Sequence, residues 1–202
     1  MITPKTWSNV PSGDSPSSIY TVIDIETTGL SRQNSEIIEF GALRVENGET
    51  VRSFSQLVRP TAPIPLDSTE ITGITNEMLA DQPSIETALP AFLDFIQDTP
   101  IIGHNILAFD LPIINRICTE NNLSPITNPC CDMLPLARGC LKISHYKLSA
   151  IADHLQVDLS QAHRALGDCE TTYRCFEALQ KRYNHKIVWQ SAKEFPIEQQ
   201  EG

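Results

Sequence analysis

The chain has 202 residues, 41% hydrophobic and 20% charged, which suits one domain with a real core and short tails. Its formal net charge of −10 excludes the broad basic footprint of a protein that holds nucleic acid by phosphate contacts alone, although bound cations can reverse the local field of an acidic site. No apolar run approaches the roughly 18 residues of a membrane helix and the opening residues lack the apolar stretch of a secretory signal, so a cytoplasmic protein without membrane contact is expected. The six cysteines form no CxxC pair, which points to reduced thiols rather than a zinc site.

Residues 1–18 set Pro4, Pro11 and Pro16 among serines and predict a disordered leader. A single catalytic domain is expected over 19–182. Residues 183–202 form a C-terminal tail with Val188, Trp189 and Phe195, suited to docking on the domain, binding a partner or fraying. Ile19 to Ile25 is a β-branched run that reads as a buried strand, closed by a turn at Thr27, Thr28 and Gly29. Ile37–Val45 and Val51–Val58 read as two further strands joined through Asn47-Gly48, a strong hairpin signal. Pro60, Pro63 and Pro65 end this meander, because proline donates no ladder N–H.

Ser84 to Gln97 has Ile85, Leu89, Phe92, Leu93 and Ile96 at helical spacing, with Pro83 at its entrance and Pro90 expected to bend it. Ile101-Ile102 is a short strand. Leu111–Asn121 is a helix that accommodates Pro112 in its first turn, and Leu148–Leu155 is a shorter one. The last helix runs from Arg164 to Arg182, with Leu166, Cys169, Tyr173, Phe176 and Leu179 as its apolar face. Strands first and helices later, with a strand between helices, predict an α/β layer with helices covering a central sheet.

Four acids and a histidine carry the chemistry. Side chains alternate along a strand, so Asp24 and Glu26 share one face, where a cation is the natural means of keeping both ionised. An acidic strand end in water is the competing reading. Asp110 opens a helix, a position the helix dipole favours for a carboxylate without any metal. His163 and Asp168 flank the start of the last helix and could line one rim of a pocket; histidine is suited to take a proton from water near neutral pH. His104 and Asn105 read as loop-capping residues without a catalytic role, and Phe109 as core or a platform for a base. Arg138, Lys142, Lys147 and Arg164 read first as solvated surface and second as phosphate contacts.

The segments DIETTG, HNILAFD and HRALGD, in that order, with Glu70-Ile71-Thr72-Gly73-Ile74-Thr75 between the first two, resemble the motifs of the DnaQ-like DEDDh 3′→5′ exonucleases, the group that includes bacterial proofreading epsilon subunits. The resemblance spans about Ile19 to Leu179. It implies an RNase H-like fold with a central mixed five-stranded sheet flanked by helices. It also implies two Mg²⁺ or Mn²⁺ ions held by Asp24, Glu26, Asp110 and Asp168, with His163 as general base. Thr27, Gly29, Leu30, Gly73, Ile74 and Phe109 are the residues it sets around the terminal nucleotide. A sister group has tyrosine four residues before the final aspartate; Arg164 stands there instead, so the histidine subtype is expected. The implied substrate is single-stranded or 3′-frayed DNA, with RNA or oligoribonucleotides as the alternative. A polymerase or another replication or repair protein is the implied partner, and a catalytically silent polymerase-binding module is the reading from another class.

Overall fold

The computed structural model describes residues 19–159, 163–183 and 190–191; the expected leader and most of the expected tail lie outside them. The described residues open with an antiparallel meander of β1 (Ile19–Thr27), β2 (Ile37–Glu46) and β3 (Glu49–Leu57). Asn47 and Gly48 join β2 to β3 with φ of 54° and 79°, the left-handed pair that a two-residue hairpin requires. α1 (Leu66–Thr72), α2 (Asn76–Leu79) and α3 (Ile85–Ile96) follow, and α3 continues through Pro90. Then come β4 (Ile101–Gly103), α4 (Asp110–Glu120), β5 (Pro129–Asp132), α5 (Met133–Cys140), α6 (Leu148–Leu155), α7 (Ala165–Tyr183) and β6 (Gln190–Ser191).

Among the described residues the strands form one mixed sheet in the order β3-β2-β1-β4-β5-β6. The first five are the expected mixed sheet, with β4 parallel to β1 and β5 parallel to β4. The two residues of β6 pair antiparallel with Pro129 and Cys130, so this part of the tail docks on the sheet edge. β1 extends to Thr27, two residues past its expected end, because Thr27 still pairs with Ile37 after a register shift that follows Glu26. Bulges of this kind re-aim side chains and recur beside active sites.

Alternation along the strands sorts side chains onto two helical layers. Ile23, Ile25, Phe40 and Ala42 face α3 and α4, where Phe40 stacks on Phe92 at 4.4 Å between ring centroids. Tyr20, Val22, Leu43 and Val45 face the layer of α5, α6 and α7 through residues such as Met133, Ile151 and Phe176. Cys169, Phe176 and Leu179 of the expected α7 face are buried, while Leu166 and Tyr173 are half-buried at its margin. On this second face, Asp24 and Glu26 continue the row of Tyr20 and Val22 toward the carboxyl end of β1. Acids thus replace apolar residues where the strand runs out from under its cover.

Candidate active site

The carboxyl ends of β1 and β4 lie side by side because the two strands are parallel, and ligand crevices in open α/β sheets lie outside such ends. Asp24 and Glu26 are half-buried there. α7 brings Asp168 against them, and one ligand oxygen from each of Asp24, Glu26 and Asp168 falls within 4.8 Å of the others. Asp110, at the start of α4, is buried and accepts a hydrogen bond of 3.2 Å from the Ile25 N–H, which fixes it beside the two β1 acids. His163 is exposed where it lines the cleft, in the left-handed region at φ 65°, a conformation that histidine adopts more readily than most residues. These five residues line one cleft of about 470 Å³ with His104, Asn105, Phe109, Leu134, Arg138, Tyr146 and Lys147.

The acids strain against one another. Burial and then the neighbouring carboxylates of Asp110, Asp168, Glu26 and Glu39 hold Asp24 well above the usual carboxylate range. Glu26 is pushed up to about 8 by burial, then by Asp168, Glu39 and Asp110, with Arg164 opposing. Burial lifts Asp110 to about 7 against the lowering effect of the amides of Asp110 and Ile25. Asp168 is also raised by burial, while His163 opposes through its charge and its backbone N–H. A carboxylate cluster of this kind reaches full ionisation only with added positive charge, and its all-oxygen donors fit hard divalent cations such as Mg²⁺ or Mn²⁺.

The remaining residues singled out in the sequence are held as follows. Arg164, read as surface or a phosphate contact, pairs with Glu39, Nε to Oε2 at 3.0 Å and Nη2 to Oε1 at 2.6 Å. Ile74 packs in a small core with Ile38, Ile64 and Leu79 and has no exposed surface, so its side chain supports the turn from below. Gly73, at φ 69°, caps α1 and is exposed. Thr27 closes the turn after β1 through its hydroxyl, which donates to the Gly29 carbonyl at 2.6 Å, and its carbonyl accepts from Ser68 at 3.0 Å. Leu30 is 86% exposed at the mouth of this turn. Phe109 is half-buried against the α3–α4 core and also lines the cleft.

His104 lines the cleft too, kept neutral because burial lowers its pKa to about 4. Sequence reasoning missed Asp132 altogether. Its carboxylate caps α5 through Leu134 N at 2.9 Å and accepts from Asn105 N at 2.9 Å and Leu107 N at 3.2 Å, so it shapes the loop that delivers Asp110. An aspartate before an apolar helical stretch was the available signal. Glu39 was missed as well, although an acid inside the apolar run Ile37-Ile38-Glu39-Phe40 marks a buried charge that needs a partner.

The sequence model of the family described as Exonuclease (RNase_T) matches residues 21–176. The chain belongs to this exonuclease family. The exonuclease domain is 38% identical over 158 residues to the DNA polymerase III subunit epsilon of Aquifex aeolicus, covering 78% of each chain. It is 40% identical over 154 residues to the PolC-type DNA polymerase III of Clostridium perfringens, covering 76% of this chain but only 10% of that polymerase. Its fold is that of E. coli exonuclease I, solved in complex with a dA16 oligonucleotide, at TM-score 0.76 and 18% identity over 83% of this chain and 42% of that one. Exonuclease X in complex with 5′ overhanging duplex DNA superposes at TM-score 0.66 and 26% identity, over 83% and 95% of the two chains. The family is divalent-metal dependent, and a zinc-bound form of the E. coli exonuclease I complex with single-stranded DNA is among the structures that match. No described helix is long and apolar enough to cross a membrane.

Proposed function

We propose that the chain removes nucleoside monophosphates one at a time from the 3′ end of DNA, with two Mg²⁺ or Mn²⁺ ions held by Asp24, Glu26, Asp110 and Asp168. The observation that carries this reading is the convergence of ligand oxygens from Asp24, Glu26 and Asp168 within 4.8 Å, with Asp110 and His163 lining the same cleft. Bound divalent cations would supply charge stabilisation to the attacking and leaving oxygens of an in-line displacement. His163, exposed where it lines the cleft, takes the proton from the attacking water. The water oxygen bonds to phosphorus as the P–O3′ bond breaks, the terminal nucleoside 5′-monophosphate leaves, and the O3′ of the shortened strand takes a proton from solvent.

Asp110 is held by the Ile25 N–H so that its carboxylate faces Asp24, and Asp168 is held by the first turn of α7. Thr27, Gly29, Leu30 and Gly73, in the turns after β1 and α1, are assigned to the terminal nucleotide by the family resemblance, and Phe109, which lines the cleft, offers a half-buried ring to its base. Arg138 and Lys147 on the far wall supply positive charge to the strand in an otherwise acidic protein. The epsilon and PolC-type relatives support partnership with a replicative polymerase, and thiols that are free in all six cysteines agree with a cytoplasmic setting.

The test is a panel of end-labelled substrates with Mn²⁺: single-stranded DNA, duplex DNA with a 3′ mismatch, and RNA of matched sequence. Faster shortening of the DNA strands supports the reading. Faster shortening of RNA transfers the same chemistry to an RNA substrate, and intact substrates throughout would leave a binding module.

A further inference from the structure

The two acids of β1 face two unusual positions on β2. Asp24 pairs across the sheet with Gly41 and Glu26 with Glu39, so Gly41 and Glu39 share the face that α7 covers. Gly41 is where the helix lands. A Cβ at Gly41 would lie 2.5 Å from the Ala165 carbonyl oxygen and from the Leu166 nitrogen, so only glycine lets the first turn of α7 rest on β2. Glu39 is fully buried one step along, and four donors meet it: Arg164 Nε at 3.0 Å, Arg164 Nη2 at 2.6 Å, the Ala165 N–H at 3.1 Å and, more weakly, the Ser55 hydroxyl at 3.5 Å. Arg164 also accepts the Asp168 N–H through its carbonyl at 2.9 Å, and it follows His163 directly in the chain.

We infer that Glu39 and Arg164 form a positioning clamp that fixes the start of α7, so that His163 and Asp168 meet the β1 acids in register. The inference rests on the functional reading of His163 and Asp168 given above. Planar, bidentate pairing suits Arg164 to this role, because the fork sets both the distance and the angle between the strand and the helix entrance. His163 lies in a left-handed conformation that the chain must be held to, and the clamp is adjacent to it. The pair also neutralises a fifth acid. Without the guanidinium, Glu39 would stand directly across the strands from Glu26 with like charge. Glu39, with its oxygens engaged by Arg164 and Ala165, is thereby kept from competing as a ligand.

A phosphate contact and a clamp give different signatures when Arg164 is changed. Arg164→Lys retains charge without the fork, and the double variant Glu39→Gln/Arg164→Gln removes both charges so that no buried carboxylate is left unpaired. Steady-state degradation of single-stranded DNA with Mn²⁺ is measured across a salt series, and amide exchange at Ala165 and Asp168 is measured in metal-free protein. A loosened clamp lowers kcat by about 10²-fold in the double variant, with a smaller loss for Arg164→Lys, and leaves KM and the salt dependence unchanged. Exchange at the two amides speeds up by about 10-fold or more relative to the rest of α7.

His163→Ala and Asp168→Ala run in parallel. If both of those abolish activity while the clamp variants keep wild-type kcat and exchange, the clamp is overturned. It is equally overturned if Arg164→Lys and the double variant change only KM and flatten the salt dependence, the mark of a phosphate contact. Full activity of His163→Ala and Asp168→Ala would instead remove the functional reading on which the clamp depends.

Discussion

Glu26 turns the crowding of the site into a measurable dependence of stability on pH. In the metal-free protein its carboxyl is raised from 4.5 to about 8, first by burial and then by Asp168. Between those values the folded chain binds more protons than the unfolded one, so stability is complete below about pH 4.5 and is lost as pH rises through 8. The full difference is at most about 5 kcal/mol. Because part of the Glu26 side chain still meets solvent, screening reduces this to about 2–3 kcal/mol. For a domain of this size that is a fall in Tm of about 5–10 °C. Calorimetric melts in EDTA from pH 5.5 to 8.5, wild type against Glu26→Gln, read the contribution of this carboxyl together with its repulsion of Asp24. Wild type should lose several degrees more than the variant across the range, and Mn²⁺ at 100 times its Kd should return about 2.7 kcal/mol to the wild type. Parallel wild-type and variant curves in EDTA, or a wild-type Tm at pH 8.5 that ignores Mn²⁺, would refute the reasoning.

His163→Ala should lower the rate of 3′ shortening by about 10²- to 10⁴-fold while Mn²⁺ binding by titration calorimetry stays at the wild-type value; weakened binding would make His163 a ligand instead of a base. Gly41→Ala forces a methyl into the α7 backbone and should cost at least about 1–3 kcal/mol in urea unfolding, with kcat falling as well. An unchanged midpoint would mean that α7 does not rest on β2 at this point. Arg138→Ala and Lys147→Ala should each raise KM and reduce the salt slope of DNA binding by about 1, and unchanged slopes would return both to solvated surface.

The elements most legible in the sequence are those whose local pattern and tertiary role agree. The β-branched run of β1, the Asn47-Gly48 hairpin and the periodic apolar faces of α3 and α7 are cases of this kind. β5 is not legible, because Pro129-Cys130-Cys131-Asp132 has no strand pattern of its own; it is extended because parallel pairing with β4 makes it so. α5 was hidden in the same way by Pro135 and Gly139, residues that normally argue against a helix. The acids of the site could be read from strand periodicity and motif order, since each is local to one element. The Glu39–Arg164 pair could not, because it joins residues 125 apart in the chain. Arg164 therefore reads in the sequence first as solvated surface and second as a phosphate contact, and only the fold brings it to Glu39; the packing of Ile74 against Ile38, Ile64 and Leu79 is likewise a tertiary feature.

The most direct measurement is a time course on a 5′-labelled single-stranded DNA oligonucleotide, with Mg²⁺ or Mn²⁺, in EDTA, and with Asp168→Ala. The expected result is a ladder that shortens from the 3′ end one nucleotide at a time with metal, and an intact band both in EDTA and with the variant. The same ladder in EDTA, or from Asp168→Ala, would contradict the proposal that these carboxylates hold the ions that cut the phosphodiester.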